Sequence, residues 1–230
     1  MEKGMKPINI LIKSLNSIVL LLCLIPVTGC ISGGSTSSRQ IETLIFFYQP
    51  PDDSGEKQLP FSIAIDRFSG AQILRTGAMI YIPAPYKIDE YLYHRWRMPP
   101  GEMVSEFLRR DFRSSGRFQA VFGPGELAPV THRLAGRVEE CQELDHNGIP
   151  SAVLSLQATL FEEGGRGKDR RIVFQKIYRR VEPMAKQSPD AMAESLSRAM
   201  KVLSGQIEKD IVGLIKERQL TTNRKELIES

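Results

Sequence analysis

The sequence has few cysteines, no long hydrophobic run and only a small excess of charge. Its three cysteines in 230 residues are too few for a disulfide framework. Its longest apolar run, residues 18–25, has eight residues, whereas a membrane-spanning helix needs about 20. The formal net charge is +4, and this small excess does not indicate a nucleic acid as a partner.

The sequence also lacks the motifs of common enzyme classes. The glycine-rich run 164–169 differs from a phosphate-binding loop, because Glu162 and Asp169 occupy positions that require Gly and Ser or Thr. The acidic run 139–146 matches no metal-ligand spacing. His94 has no nucleophile motif near it, so a structural or interface role is the simpler interpretation. We therefore predict no catalytic residues, no metal ligands and no cofactor.

The N-terminus has the organisation of a secretory leader, with three lysines before the apolar run. Residues 27–30, Val-Thr-Gly-Cys, resemble a bacterial lipobox, in which the cysteine is lipidated and becomes the new N-terminus. We predict a signal peptide over residues 1–29 and lipid attachment at Cys30. The alternative is an ordinary signal peptide followed by an incidental cysteine. Ile31 in place of Asp implies sorting to the periplasmic face of the outer membrane.

Removal of the leader leaves 230 − 29 = 201 residues, enough for one ordinary domain. Residues 30–42 comprise the lipidated cysteine and a flexible tether rich in Gly, Ser and Thr. Residues 43–218 are predicted to form the domain, and residues 219–230 a polar tail. Cys141 is then the remaining thiol, so we expect no disulfide bond within the domain.

Hydrophobic periodicity predicts an α/β fold, a single domain in which two main helices pack on a mixed, mostly antiparallel sheet. Gly205 and Gly213 are expected to mark close approaches of the second helix to its neighbours. A break in alternation at 139–141 suggests a bulge. The predicted strands are 44–48 (as a central strand), 61–66, 118–122, 133–144, 152–160 and 172–181, and the predicted helices are 100–115 and 189–218.

An aromatic, β-prone stretch precedes the first predicted helix and is the strongest candidate for partner contact. Strand alternation places Tyr91 and Tyr93 on one face and His94 and Trp96 on the other. We expect one face to be core and the other to contact a partner, since Tyr, Trp and Arg dominate binding hot spots. The sequence leaves open which face is which.

The first predicted helix and the turn after it carry four arginines, which we call the arginine ridge: Arg109, Arg110, Arg113 and Arg117. The ridge is interpreted either as a solvated face or as a surface for acidic lipid headgroups or an acidic partner. With the aromatic stretch it gives a predicted aromatic and basic patch on both sides of Pro99-Pro100. The predicted partner-binding residues are Tyr91, His94, Arg95, Trp96, Arg109 and Arg113.

Several short motifs, in their order along residues 44–215, resemble the ABC-type transport auxiliary lipoprotein family. They are Tyr91, His94-Arg95-Trp96, Pro99-Pro100, the run Ser115-Gly116-Arg117-Phe118-Gln119-Ala120-Val121, and Leu134-Ala135-Gly136-Arg137-Val138. The family includes the PqiC-like lipoproteins of MCE-type lipid transport systems, and the resemblance implies the same α/β arrangement.

The resemblance implies a non-enzymatic accessory subunit that docks the periplasmic component of a lipid transport system at the outer membrane. The implied partners are the membrane, through the N-terminal lipid, and an MCE-type periplasmic subunit. The oligomeric state is left open: both a monomer and a homo-oligomer agree with the sequence. The alternative function is a lipoprotein cofactor that binds and activates a cell-wall enzyme.

Overall fold

A computed structural model describes residues 40–53, 55–126, 128–146, 148–164 and 170–229. The predicted signal peptide, Cys30, nearly all of the tether, and residues 165–169 of the glycine-rich run lie outside the described residues.

Nine strands form one mixed sheet within the described residues. They are β1 (Glu42–Leu44), β2 (Leu59–Ile65), β3 (Ser69–Gly70), β4 (Ala78–Ala84), β5 (Lys87–Trp96), β6 (Phe118–Phe122), β7 (His132–His146), β8 (Ile149–Glu163) and β9 (Arg170–Pro183). A short 3-10 helix, Gln72–Leu74, lies between β3 and β4.

Strand β7 organises the sheet, because β8 pairs with it along its full length while β2, β3 and β4 pair with it in succession. The β7–β8–β9 meander is antiparallel, as predicted, and contains the longest ladders. The pairings of β7 with β2, β3 and β4 are parallel. The predicted bulge is confirmed, since the β7–β8 register shifts between Val138 and Glu140.

The two predicted helices are α1 (Pro100–Ser114) and α2 (Pro189–Glu229). Helix α1 begins with a proline at its first position and carries Glu102 in its first turn, where the helix dipole favours an acidic residue. At α2, Ser188 caps the helix by accepting a hydrogen bond from the Ala191 N–H at 3.2 Å. Helix α2 continues to Glu229, beyond the predicted end at 218.

The fold class is confirmed as α/β, with both helices packed on the sheet. The core contains the apolar stripes of the helices and the inward residues of the strands. The largest fully buried side chains are Phe46, Phe68, Phe112, Ile63, Ile65, Leu74, Met79, Met103, Leu108, Leu134, Leu154 and Leu156.

The prediction of a central strand at 44–48 is wrong. Strand β1 has only three residues and lies at the edge of the sheet, paired with β5 alone. The chain then leaves the sheet and runs between the helices, where the Phe46 N–H donates to Met103 Sδ and the Phe47 N–H donates to Ser197 Oγ. Phe46 is buried in the core, whereas Ile45 and Phe47 are exposed, so the continuous apolar run does not reflect a strand buried on both faces.

The expectation that Gly205 and Gly213 mark close approaches is also wrong. A Cβ atom at either position of α2 meets no atom within 4 Å. The tightest approaches among the described glycines are at Gly101, where a Cβ would collide with the carbonyl oxygen of Phe68, and at Gly136, where it would collide with the Phe68 ring. A glycine in the sequence does not reveal whether the position needs it for lack of space or for its backbone conformation.

Candidate interaction surfaces

Strand β5 contains an irregularity that rearranges the aromatic stretch. Ala78 of β4 pairs with Arg95, and Ile80 pairs with Glu90. Four residues of β5 (91–94) therefore face one residue of β4 (79), which makes 4 − 1 = 3 extra residues on β5. The predicted alternation fails across this bulge, and the rings of Tyr91 and His94 lie 6.3 Å apart.

Tyr91 and His94 each meet an acidic residue. The Tyr91 hydroxyl donates to Glu143 Oε2 at 2.8 Å, and the Tyr81 ring packs 5.0 Å from the Tyr91 ring. His94 Nε2 lies 3.4 Å from a carboxylate oxygen of Glu42. Burial raises the pKa of Glu143 above its ordinary value, and burial together with the Glu143 hydrogen bond raises the pKa of Tyr91.

Sequence reasoning missed Glu143 as the partner of Tyr91. The signal available was strand alternation, which places Glu143 on the same face of β7 as Cys141, two positions earlier, and Cys141 is fully buried. Glu143 is 1% exposed.

The prediction that Trp96 is a surface anchor is wrong. Its side chain is 2% exposed and packs edge-to-face on Phe46, with ring centroids 5.4 Å apart. Leu44 pairs with Trp96 in the β1–β5 register, and Phe46, two residues later, packs against the indole ring. Arg95, the preceding residue, is exposed, as a strand places neighbouring side chains on opposite faces.

Each arginine of the arginine ridge pairs with a carboxylate. Arg110 Nη2 lies 2.7 Å from Asp111, and its guanidinium stacks over the ring of Tyr48 at 4.3 Å. The other pairs are Arg109–Glu106, Arg113–Glu126 and Arg117–Glu56. Each positive charge of the arginine ridge is therefore matched by a nearby carboxylate, so the ridge has little excess positive charge. These carboxylates come from α1 itself and from two loops.

Arg109 and Arg113 line a cleft of about 370 Å³ on one side of α1, which we call the α1 cleft. The cleft carries three arginines and three glutamates in ion pairs: Arg67–Glu102, Arg109–Glu106 and Arg113–Glu126. Tyr91, His94 and Arg95 are absent from the described residues that line it. The predicted continuous patch across Pro99-Pro100 is thus wrong, since Trp96 is buried between its two parts.

The acidic run 139–146 makes contacts within the protein. Glu140 pairs with Arg179 at 2.7 Å, Glu143 accepts from Tyr91, and Asp145 accepts from Gln187 at 3.1 Å. Of the residues that the structure describes, no three His, Cys, Asp or Glu side chains are placed to hold a metal ion.

Comparison with protein-family models matches residues 47–208 to the ABC-type transport auxiliary lipoprotein component. The chain belongs to this family. The match covers both the aromatic stretch and α1, so the auxiliary-lipoprotein domain contains the α1 cleft and the Tyr91–Glu143 pair. Membership identifies the protein as a lipoprotein accessory component of ABC-type transport.

Solved structures share the fold of this auxiliary lipoprotein. Protein XCC0632 from Xanthomonas campestris is 17% identical, with 77% of this chain and 99% of that chain covered and a TM-score of 0.68. An uncharacterized protein is 14% identical, with 74% and 99% covered and a TM-score of 0.54. A search of curated protein sequences found no match. No helix in the described part of the chain is long and apolar enough to cross a membrane.

Proposed function

We propose that this protein is a non-enzymatic accessory lipoprotein that docks the periplasmic component of an MCE-type lipid transport system at the outer membrane. A lipid on Cys30 anchors the protein to the periplasmic face of the outer membrane. The family match over 47–208 carries the proposal. The lipobox-like Val27-Thr28-Gly29-Cys30 and the start of the described domain ten residues after Cys30 agree with an anchored domain.

The α1 cleft is the surface that we assign to the protein partner. Its charges alternate in sign and already form ion pairs, so it suits a surface with a matching charge pattern better than an anionic headgroup. Arg113 also donates from Nε to the carbonyl oxygen of Val121 at 3.0 Å, which holds its guanidinium at the rim. A fixed pattern of this kind contributes more to partner choice than to affinity.

The test is copurification of the tagged, full-length protein with MCE-type and permease subunits. Glu126→Lys reverses one charge of the α1 cleft. Among the described residues, Arg113 is the one ion-pair partner of Glu126. Glu140→Lys is the matched control, because Glu140 also pairs with one arginine, Arg179. Tyr178 contacts Asp210 of α2, so strand alternation places the neighbouring Arg179 on the face of the sheet away from α2. We expect Glu126→Lys to lose the transport subunits and Glu140→Lys to retain them.

Equal retention by both variants contradicts the assignment of the α1 cleft. Copurification of the unchanged protein with a cell-wall enzyme in place of transport subunits contradicts the function itself. Cys30→Ser tests the anchor separately: we expect unprocessed or soluble protein that leaves the detergent phase. A Cys30→Ser protein that is cleaved normally and still partitions with lipid excludes Cys30 as the attachment residue.

A further inference from the structure

Exposed apolar side chains concentrate where the chain enters the domain. Segment 41–47 and the β5 bulge together contribute five large apolar side chains, with exposed fractions between 40% and 81%. We call these the entry patch: Ile41, Ile45, Phe47, Leu92 and Tyr93. Exposed apolar groups that cluster in this way mark a surface that contacts another molecule or a membrane.

The strand register sets the first residue of the entry patch beside the β5 bulge. The parallel pairing of β1 with β5 sets Glu42 beside His94 and Thr43 beside Arg95, so Ile41 lies next to Tyr93. Alternation then places Ile41, Thr43 and Ile45 on one side of the segment. The buried Phe46 points the other way, into the core, and Phe47 is again exposed.

Two arginines share this side of the molecule. Arg95 pairs beside Thr43, and the Arg97 N–H donates to the carbonyl oxygen of Leu44 at 2.8 Å. Both lie opposite the buried Trp96, and both are exposed. Neither has an acidic partner in the described ranges, in contrast to the four arginines of the arginine ridge. The acidic residue nearest in register, Glu42, pairs with His94 instead.

The position of the anchor decides what covers this patch. Ten residues, 31–40, separate Cys30 from Ile41, the first residue of the entry patch. Fully extended they span at most about 35 Å, and a Gly/Ser-rich segment of that length has an r.m.s. reach of roughly 17 Å. The entry patch begins at the next residue, so the anchored chain holds this side of the domain toward the bilayer.

We propose that the entry patch is a membrane-contact surface. Its apolar side chains enter the boundary between headgroups and acyl chains of the phospholipid bilayer that holds the lipid on Cys30. Tyr93 suits this depth because its ring is apolar and its hydroxyl is polar. Arg95 and Arg97 contact lipid phosphate groups. The inference rests on the anchor of the proposed function and is independent of the α1 cleft.

The test uses the full-length lipidated protein in vesicles of phosphatidylethanolamine and phosphatidylglycerol. Phe47→Cys is labelled with the environment-sensitive fluorophore NBD, and doxyl-labelled phospholipids are added as quenchers. Ile177→Cys on β9 is the matched control, because Ile177 is 64% exposed and lies five strand positions from β1. Cys141 is fully buried and does not compete for the label.

We expect about a twofold or greater loss of emission at position 47 and little loss at position 177, because only the former reaches the acyl boundary. In a second variant, Arg95→Gln with Arg97→Gln, the quenching at position 47 falls in vesicles that contain phosphatidylglycerol.

Vesicle flotation distinguishes failure of the membrane contact from failure of the lipid anchor. Protein that floats without quenching at position 47 overturns the membrane contact alone. Protein that does not float overturns the anchor and the contact together. Equal quenching at positions 47 and 177 overturns a specific contact surface. If Phe47→Ser abolishes copurification of transport subunits while position 47 stays unquenched, the patch binds protein.

Discussion

The hydroxyl of Tyr91 donates a 2.8 Å hydrogen bond to Oε2 of Glu143, a residue that is 1% exposed and 52 positions away in sequence. Burial raises the pKa of Glu143 above its ordinary value of 4.5, and the Tyr91 hydrogen bond opposes this rise. In the folded state the group therefore binds a proton more readily than in the unfolded state. Its contribution to stability falls as the pH rises from 4.5 through the folded-state pKa.

Tyr91→Phe removes the donor that stabilises the charged form of Glu143. We expect a loss of about 1–3 kcal/mol in the free energy of unfolding near pH 7, and a smaller loss near pH 4, where the carboxyl is protonated. Urea unfolding at the two pH values measures this. Tyr81→Phe is the control, because the Tyr81 hydroxyl donates to the exposed Asp89 at 3.1 Å. An equal loss for Tyr91→Phe at both pH values contradicts the expectation.

Trp96→Ala is expected to lower the free energy of unfolding by about 3–5 kcal/mol, since it empties a large buried volume beside Phe46. Trp96→Phe is expected to cost much less, because the buried indole N–H has no hydrogen-bond partner within the described residues. Thermal and urea unfolding compare the two variants. A folded Trp96→Ala protein of unchanged stability contradicts the burial of this residue.

Helical glycines provide a paired test of packing. Gly205→Ala and Gly213→Ala are each expected to stabilise the protein by about 0.5–1 kcal/mol, because the added methyl group meets open space on α2. Gly101→Ala on α1 is expected to destabilise it by about 1–3 kcal/mol, since the methyl group collides with the backbone of Phe68. Unfolding midpoints in urea show whether each substitution raises or lowers the stability. A destabilising Gly205→Ala indicates a contact on the outer face of α2.

Cys141 is expected to be inert in the folded protein. It is fully buried, and burial raises the pKa of its thiol, so little thiolate is available for reaction. Iodoacetamide should label it only after unfolding, and a reducing agent should leave the thermal midpoint unchanged. Mass spectrometry and thermal unfolding measure these two quantities. A midpoint that shifts by several degrees with reductant reveals a disulfide between molecules.

Elements with local causes were predictable from the sequence. Helix α1 follows from Pro100, from an acidic first turn and from apolar residues at helical spacing, all within 15 residues. The β7–β8–β9 meander follows from alternation and turn residues, and the bulge near Glu140 from a break in that alternation. The family, too, follows from short motifs in order, and the match over 47–208 confirms it.

The sequence by itself therefore determined the elements, the fold class and the family, because helix caps, periodicity and turns act between residues close in the chain. Tertiary structure decided which side chains face outward and which charges are free. Three extra residues in β5 bring Tyr91 to Glu143, and Glu56, 61 residues from Arg117, neutralises one end of the arginine ridge. Such pairings depend on strand register and on loops brought together by the whole core, and neither leaves a periodic signal along the chain.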